Sequence, residues 1–275
     1  MRQQQAARPA AARGRPWLAA AGAALIVAAL AVTGLARRYV VAESAQFVVF
    51  AMVAPALIVL GAPWRLLRLS NAAGPGPGQL GTAPLDRLAA ARRQQTSFLR
   101  AAGFLVVFIA TGVAWRLPPV VDALARHPAL VAVELVTLLA AGLGLWLELV
   151  SSPPLAPRLP NPHRAAVAAL AMWSTWAAAY ALGLANHAVF HGYDGPGSAL
   201  SGAADQQITV ALVWAVSACC FVPVVFVALL SWLSASDSPD EELQRLARDD
   251  RQLPVVRGWG RPARVQRTRG TDGAQ

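Results

Sequence analysis

Six stretches of this chain are apolar over a length that can cross a bilayer. They run roughly Trp17–Ala36, Ser44–Ala62, Phe98–Val113, Pro128–Val150, Arg164–Ala185 and Gln207–Leu233, the third being the shortest. A helical crossing takes about 20 mostly apolar residues. Nothing between the stretches has a strand period or the length of a soluble domain. Lipid offers no hydrogen-bond partner to backbone groups, so only helices or closed barrels span it. The expected fold class is all-α: a polytopic membrane helical bundle of about six transmembrane helices. Composition agrees, with 56% of residues hydrophobic and 14% charged, against about 25% charged in soluble domains. The expected organisation is a short tail over 1–16, a membrane domain over 17–233, and an Arg-rich, largely disordered tail over 234–275.

Orientation follows from the basic residues, all 24 of which are Arg. Basic residues in short flanks collect on the cytoplasmic side. With the N-terminus cytoplasmic, twenty arginines fall inside, and Arg37, Arg38, Arg116 and Arg126 fall outside. Both termini are therefore expected in the cytoplasm of a multi-pass protein of the bacterial plasma membrane. The same asymmetry explains the net charge of +10 as topology and attraction to anionic lipid, with no nucleic-acid partner. A cleaved signal peptide is the other reading of the first stretch; its apolar core of about 19 residues is long for one. A Gly/Pro linker, SNAAGPGPGQLGTAPLD, and a helix over LDRLAAARRQQTSFLR are expected between the second and third spans.

In this topology polar side chains gather at the outer face. The second span opens with Glu43 and Gln46. The fourth opens at His127 and carries Glu134 about two turns in. The fifth ends in ANHAVFHGYD, with His187 and His191, and the sixth begins with Asp205, Gln206 and Gln207. Ionisable groups in membrane helices are costly and are functional candidates. Each also has a plainer reading. Asp205 suits a helix N-terminus. Glu134 suits a polar contact inside the bundle, with Arg116 or Arg126 as partner. His187 and His191, four apart, either share a helix face fit for a metal or mark an interfacial helix end. His127 reads as a residue leading into a helix. Glu148, near the cytoplasmic end, reads as snorkelling or Arg-paired, so that Glu148→Gln is expected to do little. Cys219 and Cys220 read as packing residues; a Cu(I) role with Met52 or Met172 is the alternative. The disulfide framework of a secreted domain is not there.

Four stretches resemble the bacterial CtaG-type cytochrome c oxidase assembly factors: FAMVAPALIVLGAPW (50–64), WRLPPVVDALARHPAL (115–130), ALVAVELVTLLAAGLGLW (129–146) and AADQQITVALVW (203–214). The resemblance implies a role in maturing the copper centre of a terminal oxidase on or near the outer face, with oxidase subunits as partners. It also exposes departures. Positions where that family carries His fall here on Glu43, Phe47, Arg116, Val131 and Leu135. Imidazole is a good copper ligand; Phe, Val and Leu are not ligands.

The expected function is thus an oxidase assembly factor, not an enzyme, acting as a scaffold without its own metal. A small-molecule or ion transporter and a purely structural membrane subunit are the alternatives. Glu43, Gln46, Glu134 and Asp205-Gln206-Gln207 are expected to converge in one outer cluster. Arg116 is expected to lean in and neutralise Glu134, and the places of the missing His to be filled by apolar packing.

Overall fold

The structure is a computed structural model, and it describes residues 15–65, 97–152, 155, 159–185, 187, 189, 190, 193 and 201–235. The expected Gly/Pro linker, most of the helix preceding the third span, nearly all of both tails, and His191 lie outside the described residues. The chain divides into two compact units, 1–232 and 233–275.

The helices in chain order are α1 (Pro16–Ala31), α2 (Thr33–Ala36), α3 (Val40–Gly61), α4 (Ser97–Trp115), α5 (Pro118–Arg126), α6 (Pro128–Leu149), α7 (Asn161–Gly183) and α8 (Gly202–Ala235). Five of them, α3, α4, α6, α7 and α8, are long and apolar enough to cross a membrane. The first expected span is divided: α1 stops at Ala31, and α2 resumes after Val32. At the break the Thr33 hydroxyl donates to the Leu30 carbonyl at 2.7 Å, a local bond that competes with the helical ladder. Prolines open several helices, at Pro16, Pro118 and Pro128, where a missing N–H costs nothing.

Pro55 falls inside α3 and removes a helical donor. The backbone widens just before it into a π-helical turn over Val49–Val53. α6 crosses at this turn. A Cβ on Gly142 would stand 2.3 Å from the Ala51 carbonyl oxygen and 2.7 Å from Pro55 Cγ, so only glycine permits the approach. Gly61 does the same for α1, where a Cβ would meet the Ala19 nitrogen at 2.4 Å. Past Gly61 the chain turns sharply through Ala62, which holds the left-handed conformation at φ 46°.

The core runs through α3, α4, α6, α7 and α8. α8 joins it through Phe221, stacked on Trp146 at 5.4 Å and edge-on to Phe108 at 6.1 Å. Trp176 on α7 stacks on Trp214 at 5.0 Å and donates to the Ser217 hydroxyl at 2.8 Å. Other large apolar side chains of these helices point outward, Val106, Val136, Trp173 and Phe226 among them, as lipid-facing surfaces do.

Two buried ion pairs fix the depth of α4. Arg100, in its first turn, forms a two-pronged pair with Glu148 of α6, Nε to Oε1 at 2.8 Å and Nη2 to Oε2 at 2.9 Å. Arg116, just past its last turn, reaches Glu43 of α3 at 2.7 Å. Of the two readings of Glu148 the Arg pair holds and snorkelling does not, since its side chain is fully buried; a buried two-pronged pair also argues against the expectation that Glu148→Gln does little.

Candidate functional site

The outer ends of α3, α4 and α6, in the orientation expected from the arginines, meet around Arg116. One guanidinium nitrogen, Nη1, donates to Glu43 Oε2 at 2.7 Å and to the Ser44 hydroxyl at 2.8 Å. The guanidinium carbon lies 4.0 Å from the centre of the Phe47 ring, within the range of a cation–π contact. Glu134 lies beside the pair, as an electrostatic neighbour of both Glu43 and Arg116. All three charged residues are buried, Glu134 with 2% of its surface exposed. Such burial needs paired charges. The helices supply the geometry: Glu43, Ser44 and Phe47 lie on one face of α3, and the chain turns at Arg116 because Pro118 starts a new helix.

Tyr193 closes the cluster on another side. It is buried with Val40, Val121 and Phe190 and lines a small cavity shared with Thr33, Arg37, Glu43 and Glu134. Burial, helped by the Glu43 and Glu134 carboxylates, holds its phenol well above the ordinary tyrosine range. The sequence pointed to the chain around Tyr193 only as a helix end; its distance from Glu43 along the chain hides the contact.

The other expected members lie nearby but do different work. Asp205 caps α3 rather than its own helix: its carboxylate accepts the Val40 N–H at 2.6 Å and the Val41 N–H at 2.8 Å. It sits in the first turn of α8, so one negative charge faces the positive ends of two helices. Gln46 turns away, donating to the Ala29 carbonyl at 2.5 Å and the Thr33 hydroxyl at 3.0 Å. It thereby ties α3 to the α1–α2 break. Gln206 donates to the Leu182 carbonyl at 2.9 Å and accepts the Val189 N–H at 2.9 Å. Gln207 donates to the Gly183 carbonyl at 3.3 Å. Both thus bond carbonyls in the last turn of α7.

The single cluster expected from the sequence is therefore three neighbouring joints. Glu43, Arg116 and Glu134 share one; Asp205 and the two glutamines stitch α8 to α3 and α7; Gln46 makes the third. Arg116 bonds Glu43, not Glu134 as expected, because Glu43 and Ser44 present two acceptors to one nitrogen. Phe47 and Leu135 are buried in the core, and Val131 packs against it.

The metal candidates fare differently. His127 and His187 are exposed, and no group of three His, Cys, Asp or Glu is gathered among the described residues. Cys219 is exposed and Cys220 half-buried. The donor set at the positions expected to hold His does not fit a copper ion: Phe47, Val131 and Leu135 offer no ligand atom, Glu43 Oε2 is held by Arg116, and Arg116 is itself a cation.

An all-helical bundle with apolar outer faces and with the ion pairs Arg100–Glu148 and Arg116–Glu43 buried between its helices is a polytopic membrane protein. Residues 1–235 match the cytochrome c oxidase caa3 assembly factor family, and the chain belongs to that family. No curated protein and no solved structure gave a significant match.

Proposed function

We propose that this protein assists maturation of a terminal oxidase from within the bacterial plasma membrane, as a non-catalytic scaffold that carries no metal of its own. The observation that carries this reading is Arg116. Its guanidinium sits among Glu43, Ser44 and Phe47, in the place where the resemblance to CtaG-type factors predicts a gathering of His. A fixed cation held by Glu43 fills the joint between α3, α4 and α6 that a bound metal would otherwise organise. The chain then contributes shape and contacts to the copper-loading step, with oxidase subunits and membrane lipids as partners.

The test is deletion of the gene in its source bacterium, with the oxidase assayed for activity and copper content. Loss of both, restored by the wild-type chain, supports the reading. An oxidase that matures normally in the deletion strain overturns it. Reporter fusions check the proposed sidedness: positions after residues 80 and 260 read cytoplasmic, and a position near residue 195 reads external.

A further inference from the structure

The ion pair stands between two cavities. Glu43 and Glu134 line the small polar one, and Arg116 lines a larger one between α3, α4, α6, α7 and α8. The larger cavity is narrow, about 40 Å³ at its enclosed core, which is room for a few waters, and it is open on one side. Its walls are apolar, with Phe47, Met52, Phe108 and Ala141 among them, and exposed Val113 also lines it. Its polar features are few. Arg116 is 8% exposed, and its Nε and Nη2 have no hydrogen-bond partner. Thr209, 1% exposed, also lines the cavity, and its hydroxyl has none either.

Those two guanidinium nitrogens form one edge, the edge that grips acceptors side-on. The chain itself shows its use: Arg100 takes both oxygens of Glu148 through Nε and Nη2. At Arg116 the corresponding edge belongs to a residue lining an apolar cavity. Charge decides what it suits. Arg116 is already neutralised by the Glu43 carboxylate, so its free edge needs an acceptor and not a second negative charge. An apolar slot with a few convergent donors is the general form of a small-molecule site.

We propose that this cavity binds an uncharged single-chain amphiphile whose carbonyl accepts from Arg116 Nε and Nη2, whose polar head also meets the Thr209 hydroxyl, and whose hydrocarbon part lies along Phe47, Phe108 and Ala141. Two membrane sources share this chemistry, isoprenoid quinones and acylglycerols. The inference does not rest on the oxidase role.

The test titrates the detergent-purified full-length protein with decylubiquinone and monooleoylglycerol, by equilibrium dialysis. Sodium oleate serves as an ionised comparison and hexadecane as one without a head group. Saturable binding of at least one carbonyl probe is expected, and the tighter of the two names the source. Thr209→Val removes the cavity hydroxyl and weakens binding by about three- to tenfold. Ala178→Leu fills the slot and abolishes it, Ala178 being a lining residue. Both substitutions leave the Glu43–Arg116 pair in place. The proposal falls if neither carbonyl probe saturates, if oleate or hexadecane binds as tightly, or if Thr209→Val binds as the wild type does. The Thr209→Val result stands even where Ala178→Leu fails to fold, as judged by helicity and thermal unfolding.

Discussion

Replacing Arg116 by Ala should cost far more than deleting one hydrogen-bonded side chain. Arg116 meets Glu43 at 2.7 Å with 8% and 6% of the two side chains exposed. Removing one partner of such a buried pair leaves an uncompensated charge and costs about 3–5 kcal/mol. The lost stacking on Phe47 adds about 0.5–2 kcal/mol. The larger share comes from stranding the Glu43 carboxylate in a low-dielectric interior, not from losing an attraction. The double variant Arg116→Met, Glu43→Leu removes both charges, so it should recover most of the loss, since apolar replacement of a whole buried pair is often neutral or better. Unfolding in mixed micelles of increasing SDS fraction, followed by the intrinsic fluorescence of the nine tryptophans, gives the cycle. A single-variant cost below about 1 kcal/mol, the range of exposed pairs, would refute the reasoning, as would a double variant worse than either single one.

Asp205→Ala removes the acceptor of two α3 backbone N–H groups and should cost about 1–3 kcal/mol, the price of leaving buried donors unmet; Asp205→Asn, which keeps one acceptor oxygen, should cost less in the same assay. Glu148→Gln breaks a two-pronged buried pair with Arg100 and should destabilise by about 3 kcal/mol or more; a loss within error of zero would contradict the weight given to this pair. Gly142→Ala pushes a methyl into the Ala51 carbonyl and should cost about 1–3 kcal/mol by overpacking, read as a lower thermal midpoint.

The fold class was legible because bilayer thickness imposes one length on every span, and five of the expected stretches are helices of that length. What was not legible was how the first span breaks, since Thr33 bonding back to Leu30 is a local choice that hydropathy does not register. Burial of Glu134 was legible from the cost of a carboxylate in lipid. The partner of Arg116 was not, because Glu43 and Glu134 lie at similar depth, and only the rotation of α3 about its axis decides between them. Asp205 read correctly as a cap but on the wrong helix. Its spacing in sequence describes α8, whereas the unpaired N–H groups it meets belong to α3, 165 residues away along the chain. Tyr193 gave no signal, since its role exists only through the tertiary fold.

The central claim is that a guanidinium stands where metal ligands are expected, and copper content measures it most directly. The full-length protein, purified from copper-replete membranes and assayed by elemental analysis, should hold copper well below one equivalent per chain. Stoichiometric copper retained through purification, and kept when His187→Ala and His191→Ala are combined, would contradict the account and show that ligands lie elsewhere in the bundle.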